Sequence, residues 1–377
     1  MRRIPAIISD IDGVLVRGKV PIPRVAKTLS YIRQPLKNIF QSTPLPFKNS
    51  RIPFICLTNG GGMLEEDKAH SINEILNLQE NVQLHQENLL LNFTPLRPVL
   101  SGQYKEKLIL IAGYGKVNEI AQSCGLKNFI SMEEFCSLYP QQVEQYQRQR
   151  MSKEEAWEKV KNRIDLKKFP INLEKIPSFD GIFILNDPVY WEDCIQVITN
   201  QIYHQDYLQS FNNKNDSEKS QKHIEIFTVN NDITYADTFR LNRLAFGPFT
   251  YTLQRVSKEL HNQNLNIHIY GKPSMLTYDY AKNHLQTLSE DSIGNIYMIG
   301  DNPKSDIRGG NNNGCVSILV KQILIFQILF KTLYFKRSGV FSGINDAEDP
   351  AQHVVEDFHD AIKLIFEKEN IPFSLIL

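Results

Sequence analysis

The chain has 377 residues, 42% of them hydrophobic, and its 42 Lys and Arg are matched by 42 Asp and Glu, for a formal net charge of zero. That length is about twice an ordinary domain, so two domains are expected. The neutral balance excludes the basic footprint of a nucleic-acid binder and points to a small-molecule partner.

Only Met1-Arg2-Arg3 precedes the first apolar run, Ile4 to Ile8, so neither a signal peptide nor a presequence is expected. The run reads as a short buried strand and ends in Asp10-Ile11-Asp12-Gly13. Two carboxylates one residue apart at a strand end are costly unless they meet a cation or hydrogen-bond donors. Pro23 and the apolar spacing from Val25 to Ile32 predict a helix, and the Pro-rich residues 34–53 predict a surface loop. A second strand, Phe54 to Thr58, runs into Asn59-Gly60-Gly61-Gly62 and a helix from Glu65 to Leu78. This is one strand, turn and helix unit of a parallel sheet.

From about Pro95 to Gly247 the chain reads as a separate α/β domain. Strands are predicted at Lys107 to Ala112, Gly181 to Leu185 and Ile224 to Val229, with helices at Val117 to Cys124 and Glu192 to Tyr203. Gln141 to Arg163 reads as an exposed helix, and Ser210 to Lys222 is polar enough to be a disordered loop. The first domain then resumes with a helix from Phe249 to His261 and strands at Ile267 to Tyr270, Ile296 to Ile299 and Val316 to Val320. The expected division is residues 1–94 plus 248–377 for a core and 95–247 for an inserted cap. The fold class is α/β, a doubly wound Rossmann-like core with an α/β insertion.

Five widely spaced cysteines, Cys56, Cys124, Cys136, Cys194 and Cys315, form no C-x-x-C pair. They read as reduced, buried thiols rather than a zinc site or a disulfide framework. The longest apolar stretch, Ile323 to Phe335, is interrupted by Gln327 and Lys331 and falls short of the roughly 20 residues a membrane span needs. No transmembrane helix is expected.

Four predicted strands end in polar clusters, and an open parallel sheet delivers such ends to one crevice. Asp10, Asp12, Asp301 and Asp306 are hard oxygen ligands suited to Mg²⁺. Thr58 and Asn59, read as lying at a helix N-terminus, supply neutral donors for phosphate oxygens. Lys272 adds a fixed positive charge. Thr-Asn-Gly-Gly-Gly alone is an ordinary turn and Gly-Lys-Pro alone a solvated strand end. All four clusters in this order, each after an apolar strand, instead assemble nucleophile, metal, charge clamp and acid/base for phosphoryl transfer.

These residues resemble the haloacid dehalogenase (HAD) superfamily. Ser9-Asp10-Ile11-Asp12-Gly13-Val14-Leu15, Leu57-Thr58-Asn59-Gly60-Gly61, Gly271-Lys272-Pro273 and Gly300-Asp301-Asn302-Pro303-Lys304-Ser305-Asp306 look like its motifs I to IV. A large cap (C2 type) between motifs II and III resembles subclass IIA, which includes nucleotide and 4-nitrophenyl phosphatases. Details around the motifs and the tail from Pro350 to Lys368 are similar to the cat-eye-syndrome-critical-region subgroup. The resemblance implies that Asp10 attacks phosphorus and forms an aspartyl-phosphate, while Asp12 protonates the leaving alcohol and then activates water. Thr58, Asn59 and Lys272 would hold the phosphoryl group. Mg²⁺ would be bound by the Asp10 carboxylate, the Asp12 backbone carbonyl and Asp301, with Asp306 in support. Gly13 to Pro21 would form a flap beside the nucleophile. The second carboxylate, Asp12, favours a phosphatase over a dehalogenase.

Beyond the motifs the implied substrate is a small phosphorylated metabolite. The alternatives are a phosphatase or transferase step in mitochondrial glycerophospholipid synthesis, and a catalytically silent binding or scaffold protein. The subgroup implies a mitochondrial location, the alternative being cytoplasmic. Val229-Asn230-Asn231-Asp232 resembles the subclass T-N-x-D element and is a candidate for contact of the cap with core or substrate. The chain departs from the subgroup at residues 321–338, an apolar, aromatic, Lys-flanked insert. It reads as an interfacial helix making peripheral membrane contact, or as sequence absent from the mature protein.

Overall fold

The computed structural model describes residues 3–40, 47–49, 51–143, 150–204, 223–235, 241, 243–321, 325–329, 332–336 and 344–373. Two parallel sheets organise it. The core sheet runs, in spatial order, His353–Val355, Val316–Val320, Ile293–Gly300, Ile4–Ser9, Phe54–Leu57 and Leu89–Leu90. The chain starts in the middle, winds to one side, leaves for the cap and returns to the other side. The winding therefore changes direction between Ile4–Ser9 and Ile293–Gly300, and a ligand crevice opens at such a point beyond the carboxyl ends of the strands. Asp10 and Asp301 are the next residues after these two strands.

Alternation along the central strands serves two buried layers. Ile4, Ile7, Phe54, Cys56, Tyr297 and Ile299 pack against the helices Val25–Arg33 and Phe358–Lys368. Ala6, Ile8, Ile55, Leu57 and Met298 face Tyr278, Ala281 and Leu285 of the helix Met275–Thr287. Strands covered on both faces explain why the first run reads as continuously apolar.

The cap repeats the design. Its sheet has the order Ile267–Ile269, Glu225–Thr228, Gly181–Ile184, Ile109–Ala112, Phe129–Ser131, again all parallel. Its change of winding lies between Ile109–Ala112 and Gly181–Ile184. One face carries Phe183, stacked on Phe227 with ring centroids 4.4 Å apart and met edge-on by Tyr104. The other packs on the helices Trp191–Tyr203 and Gly247–His261 through Val197, Ile198, Phe249 and Leu253.

The return to the core differs from the expectation. Ile267–Ile269 pairs with Glu225–Thr228 at the cap's edge, and the helix Gly247–His261 packs on the cap, so the chain does not rejoin the core at residue 248. A crossover helix feeding a neighbouring parallel strand keeps both in one sheet, which carries the cap sheet to Ile269. Residues 34–53 include a short helix, Leu36–Ile39. The helix expected from Gln141 begins only at Lys153, where Ser152 Oγ accepts the Glu155 N–H at 3.0 Å. Residues 144–149 and the loop expected at Ser210 to Lys222 lie outside the described residues.

The described residues of the insert do not form the expected helix. Ile325–Leu329 and Thr332–Lys336 pair as an antiparallel ribbon, a pairing that their β-branched and aromatic content favours. No helix among the described residues is long and apolar enough to cross a membrane. All five cysteines are free and buried.

The stacked Phe183 yields a stability prediction. Phe183→Ala empties fully buried space in the cap and should cost about 3–5 kcal/mol. Urea unfolding followed by fluorescence should show an earlier cap transition, and an unchanged midpoint would contradict this packing.

Candidate active site

The two changes of winding face each other across a cavity of about 440 Å³. Asp10, Asp12, Thr58 and Asp301 line it from the core, and Tyr114, Asn186, Asp187 and Asp232 from the cap. Lys272 also lines it, and its route is unexpected. It follows the cap's edge strand, with only Tyr270 and Gly271 between Ile269 and the lysine. Three of the four polar clusters thus come from core strands and the fourth from the cap.

Lys272 is buried, and its ammonium donates to Asp10 Oδ1 and to Asp306 Oδ1, each at 2.6 Å. Asp306 is fixed from its other oxygen, which accepts the Asn302 backbone N–H at 3.0 Å. Asp10, Asp301 and Asp306 offer carboxylate oxygens all within 4.8 Å of one another. Three carboxylates and one ammonium meet in this buried cluster. A divalent cation with a preference for oxygen ligands fits that donor set in charge and chemistry.

The local charges act on one another. Burial pushes the Asp10 carboxyl up to about 7, with Lys272 pulling against this and Asp306 adding to it. Burial alone would push the Lys272 ammonium down, yet Asp10 and Asp306 hold it above its usual range. Asp12 is unlike Asp10: its side chain is 45% exposed, and Lys68 approaches it to 3.7 Å. Its carboxylate is outside the metal-ligand cluster. The flap expected at Gly13 to Pro21 is present as the small hairpin Val16–Arg17 with Val20–Pro21.

Asn59 does not sit as the sequence suggested. The helix starts only at Glu65, and the Asn59 amide is committed elsewhere. Its Oδ1 accepts the Lys272 N–H at 2.7 Å, and its Nδ2 donates to the Lys272 carbonyl at 3.0 Å and to Asp232 Oδ2 at 2.8 Å. Asn230 Nδ2 reaches the Asn59 carbonyl at 3.2 Å. Asn59 thus ties two motifs to the cap. Thr58 Oγ1 accepts the Gly60 N–H at 3.0 Å, shaping the glycine turn.

Residues 7–127 match a family described as haloacid dehalogenase-like hydrolase, and residues 269–322 match one described as HAD-hydrolase-like. Both matched segments are haloacid dehalogenase-like hydrolase in sequence. The chain's HAD motifs are those whose side chains meet in the cavity. The chain is 29% identical over 375 residues to a cardiolipin synthase (CMP-forming) / mitochondrial hydrolase fusion protein of Schizosaccharomyces pombe, covering 97% of this chain and 53% of that one. It is 26% identical over 387 residues to a mitochondrial hydrolase of Saccharomyces cerevisiae, covering 96% of each. This chain therefore spans about half the length of the first relative and nearly all of the second.

Two solved HAD-like structures share the fold at low identity. A glycerol phosphate phosphatase from Mycobacterium tuberculosis in complex with magnesium has a TM-score of 0.56 and 14% identity, over 94% of this chain and 75% of that one. A p-nitrophenyl phosphatase from Archaeoglobus fulgidus has a TM-score of 0.57 and 12% identity, over 97% of this chain and all of that one. The HAD core with an inserted α/β cap is the fold of this chain.

Sequence reasoning missed Lys68 and Asp187 in this HAD site and left Asp232 outside the catalytic set. Lys68 sits on a helix face of ordinary charged residues, and Asp187 follows a cap strand with no flanking motif. Gly13 explains itself only in the structure. It has φ +96°, and a Cβ there would stand 2.5 Å from Asp301 Oδ2.

The raised Asp10 carboxyl gives a pH prediction for metal-free protein. A native pKa of about 7 against an ordinary 3.8 means the native state holds its proton more tightly than the unfolded chain. Stability from this group is present below about 4 and lost as pH rises through 7. In EDTA, Asp10→Asn should raise the melting temperature relative to the parent at pH 8, and the difference should shrink towards pH 4. A mutant less stable than the parent at pH 8 would contradict the desolvation cost.

Proposed function

We propose that this hydrolase is a Mg²⁺-dependent phosphatase acting on a small phosphorylated metabolite through an aspartyl-phosphate. The observation that carries this reading is the Lys272 ammonium, 2.6 Å from both Asp10 and Asp306 beside Asp301, with the half-exposed Asp12 in the same cavity. One carboxylate is buried and held by a cation; the other is open enough to exchange protons. That asymmetry suits a nucleophile and an acid/base pair.

In the proposed reaction an Asp10 carboxylate oxygen attacks phosphorus as the bond from phosphorus to the leaving oxygen breaks, and Asp12 gives its proton to the departing alkoxide. Asp12 then takes a proton from water, the water oxygen bonds phosphorus, and the Asp10 carboxylate departs as inorganic phosphate is released. Lys272 neutralises charge on the attacking carboxylate and on the phosphoryl oxygens. The turn after Thr58 offers backbone donors to the same oxygens. Asp10, Asp301 and Asp306 would hold Mg²⁺, which when bound offsets charge on the phosphoryl group. Asp12 would take part through its backbone carbonyl, as the family resemblance implies.

The names of both fungal relatives favour a mitochondrial location. A second reading, a phosphatase step in glycerophospholipid synthesis, is favoured by the relative that carries cardiolipin synthase on the same chain. The intact Asp10, Asp12, Lys272 and Asp301 speak against a silent scaffold.

Asp10→Asn should abolish Mg²⁺-dependent hydrolysis of p-nitrophenyl phosphate while leaving the far-ultraviolet circular dichroism unchanged. Asp12→Asn should slow it by about 10²–10⁴-fold. EDTA should stop the parent enzyme, and added Mg²⁺ should restore it. Equal turnover by Asp10→Asn and parent would sink the mechanism, and activity insensitive to EDTA would sink the metal assignment.

A further inference from the structure

Both changes of winding open on one cavity, so the substrate lies between two crevices of different character. The core crevice supplies the groups proposed to handle the phosphoryl end. The cap crevice, formed by Tyr114, Asn186, Asp187, Asn230, Asp232 and Tyr235, is left to face the alcohol.

Charge decides what kind of alcohol fits. Among the described residues lining the cavity, Lys272 is the one Lys or Arg, and its ammonium is already held by Asp10 and Asp306 at 2.6 Å. Two lysines near this site are paired: Lys68 approaches Asp12 to 3.7 Å, and Lys116 holds Asp67 at 2.9 Å. On the cap side stand two further carboxylates, Asp187 and Asp232. A carboxylate or second phosphate on the leaving alcohol would meet these acids with no free counter-cation among the described lining residues. Like charges brought together out of water repel one another with little screening.

Hydrogen-bond capacity points the same way. A carboxylate accepts about four hydrogen bonds and donates none when ionised. Asp187 Oδ1 takes the Trp191 Nε1–H at 3.2 Å, and Asp232 Oδ2 takes the Asn59 Nδ2–H at 2.8 Å, so both keep acceptor capacity. Burial raises both carboxyls above their ordinary range. A ligand that donates hydroxyl or ammonium protons returns the stabilisation that burial removes. Tyr114 and Phe246 add ring surface for the carbon side of such a ligand.

We infer that Asp187 and Asp232 select a leaving group rich in hydrogen-bond donors and free of negative charge, so that the substrate is the phosphate monoester of a small polyol or amino alcohol. This rests on the phosphatase reading and narrows it. It also disfavours an anionic phospholipid precursor bearing a second phosphate.

The test compares near-isosteric esters in the full chain with Mg²⁺: glycerol 3-phosphate and phosphoethanolamine against 3-phosphoglycerate, with p-nitrophenyl phosphate as reference. At least one of the first two should exceed 3-phosphoglycerate in kcat/KM by about tenfold or more, and which one leads separates polyol from amino alcohol. Asp187→Asn and Asp232→Asn should each shrink that ratio, mainly by raising KM for the preferred ester. Should Asp232→Asn fail to fold, Asp187→Asn carries the test, since its carboxyl bonds only the Trp191 indole among the contacts described. Turnover of 3-phosphoglycerate equal to or above both others, with p-nitrophenyl phosphate still hydrolysed, overturns the selection while sparing the phosphatase. An unchanged ratio in the folded variants overturns it too. No hydrolysis of any ester overturns the phosphatase reading and this inference with it.

Discussion

A single buried ammonium holds the site together. Lys272 sits between Asp10 and Asp306 at 2.6 Å from each, in a position almost closed to solvent. Removing the cation from such a buried cluster costs about 3–5 kcal/mol, because the carboxylates are left without compensation. Here the loss would leave Asp10 and Asp306 facing each other beside Asp301. The turn after Ile293–Gly300, the Asn302 N–H on Asp306 and the Asn59 amide on the Lys272 backbone all keep this charge balance in register. With the lysine in place, carboxylate oxygens of Asp10, Asp301 and Asp306 converge on one point, which suits the site to a divalent cation.

The same arrangement divides labour between the two carboxylates of the first motif. Asp10 follows its strand directly and is buried at the centre of the sheet. Asp12, two residues on, has turned out beneath the flap and is half exposed. Spacing of a single residue is enough because the chain leaves the sheet between them. The Gly13 turn makes this possible, and its lack of a side chain lets Asp301 approach.

Much of this was legible in the sequence because it is local. Val316–Val320 falls where its apolar run predicts, and the Asp10, Lys272 and Asp301 clusters each stand next to the strand that positions them. What could not be read is pairing across distance. Ile267–Ile269 is a short strand with His268 at its centre, and nothing in its pattern says which of two parallel sheets it joins. The edge strands Leu89–Leu90 and His353–Val355 are too short to show a period. Asn59 was read as a phosphate ligand because its turn suggests one, whereas its amide is taken up by Asp232, 173 positions away. Asp187 matters only because the cap's reversal of winding faces the core's, and a lone aspartate after a strand carries no such signal. The ribbon of Ile325–Leu329 and Thr332–Lys336 shows how an apolar aromatic run can read as a helix when its period is weak.

Delivery of Lys272 by the cap has a mechanical consequence. From Ile269 to Lys272 is three residues, a reach of at most about 10 Å. The cap's edge strand is thus moored at the reacting cation, while the other connection, residues 91–108, is far longer. Rocking of the cap about this short link would leave the catalytic charge nearly stationary. The opposite edge, Phe129–Ser131, lies four strand spacings away, roughly 19 Å, and would sweep the widest arc. The cavity would then gape on the side of the cap far from the lysine, admitting the alcohol end last and releasing it first, while the ion cluster stays assembled throughout the stroke.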